Sequence, residues 1–161
     1  FLVIIVSNTL ISIIQECICK MLQEDEIPLI YGELLLVINA LKNNLLNPLQ
    51  ILISFLASLL KTIGSAFEIN KCVYCGTKKD LVTFSFEDGG FLCRDCFQND
   101  QINKVTPSQM LLIRQLFSYR KYDNPINNLS TSDLYIILDA MIEYIYDGIG
   151  VKIKTYNLLK D

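Results

Sequence analysis

Two Cys-x2-Cys pairs, Cys72 with Cys75 and Cys93 with Cys96, lie 17 residues apart in this 161-residue chain. They constrain its fold more than any other feature. Two intervening residues let one tight turn present both thiolates to a single ion, at metal–sulfur distances of about 2.3 Å for zinc. A 17-residue spacer holds a hairpin that brings the second pair back to close a tetrahedron, within the spacing expected of zinc sites. Four thiolates fill the coordination shell and leave no position for substrate or activated water, so the expected ion is structural. Iron in the same geometry shares the spacing. Two disulfides fit less well, because cysteines two residues apart bridge as a redox pair and no secretory signal supports an oxidising compartment.

The spacer reads as that hairpin. Leu81–Phe86 alternates like a strand, Glu87-Asp88-Gly89-Gly90 is a turn, and Phe91-Leu92 begins the return. Gly76 follows the first pair, where a backbone turning around a metal often needs positive φ. Lys71, Lys78, Lys79 and Arg94 surround the thiolates in sequence and would offset a site of net charge about −2.

The remainder is helical in texture. Helices are expected over residues 2–23, over 28–42 with Pro28 in the first turn, and from Pro48 to about Ala66. Another opens at Thr106-Pro107 and runs to Tyr119. After a loop at 122–128, a last helix covers Asp133–Tyr146, capped by Ser130 or Ser132 and ended by Gly148 and Gly150. Val151–Leu159 is a short tail. The fold expected is mainly α, a helical domain in two parts (1–70 and 99–161) with a zinc knuckle inserted at 71–98.

The chain is 52% apolar and 19% charged, too rich in hydrophobic residues for disorder. Its longest apolar runs, Phe1–Ile14 and Leu49–Ile63, fall short of the roughly 20 residues a spanning helix needs. In the second run the polar residues fall at 50, 54, 58 and 61, a narrow stripe on a helix buried around most of its circumference. Phe1 is not a start methionine and no basic segment precedes the first run. The chain is therefore expected to begin inside a longer protein, which would dock on an exposed stripe of the first helix.

Few signals point to chemistry. No histidine is present, which removes the commonest general base and every Ser-His or Cys-His dyad. No glycine-rich phosphate loop occurs. Asp139, Glu143 and Asp147 share one helical face and read as a solvated acidic stripe, although they could bind a divalent ion. Cys17 and Cys19 point to different faces of the first helix and read as core or surface residues. No enzyme is expected from this stretch. The formal charge of −3, falling to about −5 with zinc on four thiolates, disfavours nucleic-acid binding by bulk electrostatics. Local candidates for DNA or partner contact are Arg114, Arg120 and Lys121, near the aromatics of Phe117–Tyr122.

The order of these features resembles the C-terminal part of the RecO family of bacterial recombination mediators. The resemblance starts in Gln15-Glu16-Cys17-Ile18-Cys19-Lys20-Met21-Leu22 and continues through the apolar helix near Gly64. Cys72-Val-Tyr-Cys75-Gly76 and Gly89-Gly90-Phe91-Leu92-Cys93-Arg-Asp-Cys96 follow. Glu143-Tyr-Ile-Tyr and Gly150-Val-Lys-Ile-Lys154-Thr155 resemble the family's closing helix and Lys-Ser element, with Thr155 in place of serine. It implies an N-terminal OB-fold, absent from this chain, and a non-enzymatic role in recombinational repair. It also implies binding to single-stranded and duplex DNA (mostly through the OB-fold), to the C-terminal tail of the single-strand-binding protein, and to RecR. Strand annealing and RecA loading would follow, in the cytoplasm at the nucleoid. The alternative is a zinc-stapled accessory or interaction domain of another multidomain protein, an enzyme or one related to transcription or protein quality control.

Overall fold

The computed structural model describes residues 2–44, 46–97, 105–118, 122 and 125–160, with side chains from residue 7 onward. Five α-helices surround a common core: α1 (Leu2–Met21), α2 (Ile27–Lys42), α3 (Pro48–Thr62), α4 (Pro107–Leu116) and α5 (Thr131–Tyr144). A two-stranded antiparallel hairpin, β1 (Leu81–Ser85) and β2 (Gly90–Cys93), lies between α3 and α4. A π-helical turn (Ile145–Ile149) and a 3-10 helix (Thr155–Leu159) complete the chain. Among the described residues no helix is long and apolar enough to cross a membrane.

α3 is the central strut. Every residue from Leu49 to Leu56 is buried, and α1, α2, α4 and α5 all pack against it. Burial of each large aliphatic or phenyl side chain contributes about 1.5–3 kcal/mol, so a helix wrapped on every side holds much of the core. Of its polar stripe Gln50 and Ser54 are buried, Ser58 is half-buried and Lys61 is exposed. Ser54 Oγ donates to the Leu116 carbonyl at 3.0 Å, and Ser58 Oγ donates to Glu33 on α2 at 2.7 Å. The same Glu33 oxygen accepts from the buried Tyr122 hydroxyl at 2.7 Å. These bonds give the helix neighbours with a defined register, where apolar contact alone is non-directional.

The helix starts follow the capping chemistry. Asn47 accepts from the Leu49 amide at 2.9 Å ahead of Pro48. Thr106 and Gln109 form a reciprocal capping box on α4, and Ser130, not Ser132, caps α5. The ends differ from expectation. α3 stops at Thr62, four residues early, because Gly64 turns left-handed (φ +78°) and Ser65 N–H donates back to the Leu60 carbonyl. α5 stops at Tyr144 and widens into the π-helical turn, which Gly150 (φ +82°) closes. α4 ends at Leu116, while Tyr119, Arg120 and Lys121 lie outside the described residues.

On α1, Leu10, Ile13, Ile14, Cys17 and Met21 form the buried stripe, and Cys19 is exposed. The large exposed apolar surface lies on α2 instead, where Ile27, Leu29, Tyr31, Leu35, Leu36 and Ile38 face outward. Among the described side chains of α1, Ile11 is the large apolar residue that is exposed. Among the described side chains, exposed apolar residues are thus more numerous on α2 than on α1, whose buried stripe turns inward.

The C-terminal segment is clasped to α1 by one carboxylate. Glu16 accepts from the Lys154 amide (2.9 Å), the Thr155 amide (2.7 Å) and Thr155 Oγ1 (2.6 Å), and pairs with Lys20 at 2.5 Å. Lys20 Nζ also donates to the Lys152 carbonyl at 2.7 Å. Asp139 makes a second tie, accepting from the Tyr156 hydroxyl at 2.5 Å and pairing with Lys160 at 2.7 Å. The acidic stripe is thus exposed as expected, with Asp139 engaged by the tail.

Glu16 is only 12% exposed, and its burial opposes ionisation. The donors from Lys20, Thr155 and Lys154 outweigh this and hold its carboxyl at about 2, against an ordinary 4.5. A depressed carboxylate contributes stability above its unfolded value and loses it as pH falls through the folded one. Glu16→Gln is expected to cost about 2–3 kcal/mol at neutral pH. In urea unfolding, the gap between wild type and variant should narrow as pH is lowered from 4.5 toward 2.

Candidate metal centre

The knuckle is built on the hairpin. Leu81 pairs with Cys93, Thr83 with Leu92, Phe84 with Phe91 and Ser85 with Gly90, with an irregularity between Leu81 and Thr83. Cys93 is the last residue of β2, and the Cys96 and Phe97 amides turn back to its carbonyl at 3.2 and 2.9 Å. The first pair is stitched on from the other side. Val73 N–H donates to the Phe91 carbonyl at 3.0 Å, and Gly76 N–H donates to the Cys72 carbonyl at 2.9 Å. Gly76 has φ +72°, as its place after the first pair predicts.

The Gly-Gly sequence does two jobs. Gly89 (φ +80°) makes the turn, whereas Gly90 is already in β2 and forms a parallel bridge to Glu68. A Cβ on Gly90 would sit 2.5 Å from the Glu68 carbonyl oxygen and 2.8 Å from Val73 Cγ1. Absence of a side chain is what lets the segment entering the first cysteine pair lie against the hairpin.

The four sulfurs lie within 4.8 Å of one another, and Cys75 Sγ is 3.5 Å from Cys93 Sγ. Tetrahedral coordination with bonds of about 2.3 Å needs sulfur–sulfur edges of about 3.8 Å. The spacing and the soft donor set fit a thiophilic divalent ion, so the quartet can hold a metal in the manner of a zinc knuckle. Cys72 and Cys93 are buried, Cys75 is exposed and Cys96 is half-buried. Burial opposes ionisation of Cys72, but the amides of Cys75, Cys93 and Tyr74 bring its thiol down to about 6. The neighbouring sulfurs of Cys93 and then Cys75, with burial, push Cys96 up to about 12. A cation bound among the four sulfurs would favour the thiolate form of each.

Behind the knuckle, Phe84 and Phe91 enter the main core. Phe67 packs against Phe84 (5.6 Å between centroids), Phe117 (5.3 Å, stacked) and Tyr144 (4.8 Å). This cluster joins the hairpin to the end of α4 and to α5. Lys71, Lys78, Lys79 and Arg94 are all exposed. Arg114 is exposed too, with its guanidinium 4.9 Å from the Phe91 ring centroid, so it lies across the back of the hairpin. The structure therefore brings the four cysteines together, whereas of the three basic candidates only Arg114 lies within the described residues.

The model of the recombination protein O C-terminal family matches residues 5–156. The chain belongs to this family. The DNA repair protein RecO of Acetivibrio thermocellus is 45% identical over 96 residues, covering 52% of this chain and 37% of the relative. That of Syntrophomonas wolfei is 40% identical over 84 residues, 52% of this chain and 33% of the relative. That of Mycoplasma mycoides is 26% identical over 132 residues, 81% of this chain and 52% of the relative. The chain thus spans about a third to a half of the length of these relatives. No solved structure matches it at the significance these relatives reach. The family assignment agrees with the sequence resemblance, and the structure adds that Glu16 and Thr155, noted separately there, touch one another.

Two outcomes follow for this site. Cys93→Ser is expected to abolish stoichiometric metal uptake, measured by mass spectrometry under native conditions, and to lower the melting temperature of the metal-loaded chain. Gly90→Ala is expected to cost about 1–3 kcal/mol in denaturant unfolding, because backbone must move to admit the methyl group.

Proposed function

We propose that this chain is the helical, zinc-stapled part of a recombinational DNA repair mediator. The observation that carries the reading is the family match across nearly the whole chain, together with a cysteine quartet drawn into one coordination sphere. Zinc is the ion we assign, as a structural cofactor held by Cys72, Cys75, Cys93 and Cys96. The four thiolates fill its shell, so it would orient the knuckle and take no part in bond making. Residues 71–98 form the insert, and 1–70 and 99–161 the two halves of the helical part.

The mechanism is proximity, without catalysis. The complete protein neutralises phosphates, holds two strands near one another for annealing, engages the acidic tail of the single-strand-binding protein, and with RecR promotes RecA loading. The setting is the cytoplasm, at the nucleoid. An N-terminal OB-fold would supply most of the contact with single-stranded and duplex DNA, which suits a chain of net charge −3. Arg114, Arg120 and Lys121 are the candidates for contact with DNA or partner from this part. The α3 strut and the Glu16 clasp support the reading physically, since a scaffold that positions strands needs elements whose relative placement is fixed.

A fluorescence-anisotropy titration of the zinc-loaded chain with the acidic C-terminal tail peptide of a bacterial single-strand-binding protein tests the proposal. A scrambled peptide of equal charge is the control. Saturable binding of the true tail alone is the expected result. Equal binding of both peptides, or of neither with fold and zinc intact, would count against the tail contact in this part.

A further inference from the structure

α2 turns Ile30, Val37, Ala40 and Leu41 to the core and is backed chiefly by α3. On its other side Ile27, Leu29, Tyr31, Leu35, Leu36 and Ile38 are each 42–70% exposed, over about three helical turns. From Ile27 to Asn39 every exposed residue of the helix is uncharged. A surface helix ordinarily offers solvent a charged or polar face, and this one does not. Apolar patches larger than a few hundred Å² are uncommon on monomers and mark contact surfaces.

Gly32 lies in the middle of this face and is itself exposed. Its backbone is not left-handed, and a Cβ there would meet nothing within 4 Å. Neither conformation nor packing inside the chain asks for glycine, and glycine weakens a helix interior relative to alanine. What it does offer is close approach to a group arriving from outside the chain.

The face ends in opposite charges. Glu24 and Asp25 are exposed just before α2, and Lys42 is exposed as its last residue. None of the three has a side-chain hydrogen bond or ion pair among the described residues. Each complements the dipole of its own helix end. A second α2 laid antiparallel across the face meets the same pattern reversed, so that acidic end meets basic end twice. With the two-fold axis level with Glu33, Leu29 lies beside the partner's Leu36 and Tyr31 beside the partner's Ile38. In that register Gly32 receives the partner's Leu35, and Glu24 and Asp25 reach the partner's Lys42. Bulk and charge are matched together, as a self-complementary surface requires. We infer that α2 is a two-fold contact, packing antiparallel on α2 of a second copy of this chain. The pair would bury on the order of 1,000 Å² in total, near the lower bound for a specific interface, so a dimer dissociating at micromolar concentration is expected. This inference stands on α2 alone and is independent of the repair reading.

Sedimentation equilibrium over a concentration series tests it, on the metal-loaded full chain and on the complete protein that contains it. Both should be dimers at high concentration and dissociate on dilution. Leu36→Glu should weaken association roughly tenfold or more and leave the melting temperature of the dilute chain unchanged. Gly32→Ala should raise that melting temperature while weakening the dimer, a pairing that damage to the fold would not produce. Lys42→Glu alone, and Glu24→Lys with Asp25→Lys, should each weaken association severalfold. An equal mixture of these two variants should recover it, because every facing pair in the mixed dimer is again of opposite charge.

A monomer at every concentration, with fold and metal intact, overturns the inference. So does a dimer untouched by Leu36→Glu, which would place the contact elsewhere, or association that grows past the dimer without limit. Charge variants that fail to weaken the dimer, or a mixture that fails to recover it, overturn the antiparallel pairing. A dimer formed by the chain and absent from the complete protein also overturns the second copy, and gives the face to the rest of that protein.

Discussion

Everything in this structure is arranged around the burial of α3. A helix whose residues from Leu49 to Leu56 are all buried cannot exist unless neighbours surround it. α1, α2, α4 and α5 do so, and the polar groups of the helix give that packing a register. Ser54 reaches the carbonyl at the end of α4, and Ser58 shares the Glu33 carboxylate with Tyr122. Each is a buried or half-buried polar group that would be costly if mispaired, so alternative packings of these helices are penalised.

Two peripheral elements are tied to this core by different physics. The hairpin is held by aromatic surface: Phe84 and Phe91 enter the core, and Phe67 stacks between hairpin and helices. The C-terminal segment buries Ile153 and Tyr156 in the core and is held in addition by charge, through Glu16 on the Lys154 and Thr155 amides and Asp139 on Tyr156 and Lys160. Hydrophobic attachment is indifferent to pH across the physiological range, whereas the Glu16 clasp is a carboxylate interaction with a defined acid limit. The metal site lies on the far side of the hairpin from the core. A metal ion held there would organise Cys72–Cys96 locally, while the aromatic cluster ties the hairpin to the end of α4 and to α5.

Some of the architecture was legible because it rests on local chemistry. The Cys-x2-Cys pairs, the alternating strand before Gly89-Gly90, the Thr106-Pro107 start and the Asn47-Pro48 start all depend on residues within one turn of each other. The errors fell where local signals compete. Gly64 ended α3 earlier than its apolar run implied, since a left-handed residue redirects the chain whatever follows it. Gly90 was read as part of the turn. Its real constraint is the approach of Glu68 and Val73, which are distant in sequence. Among the described side chains the broader exposed apolar face is on α2, since packing decides which surface of each helix turns to the core.

By itself the sequence determined a mainly helical chain, a cysteine quartet with metal spacing, the positions of most helix starts and the likeness to one family. These follow from period, capping and spacing, which operate over a few residues. Tertiary structure alone decided that Glu16 meets Thr155, that Ser54 reaches the Leu116 carbonyl inside the protein, and that Ser58 and Tyr122 share the Glu33 carboxylate. Such contacts join residues tens of positions apart. Whether a carboxylate or hydroxyl there is a surface ornament or a working group depends on the desolvation and partners that folding supplies.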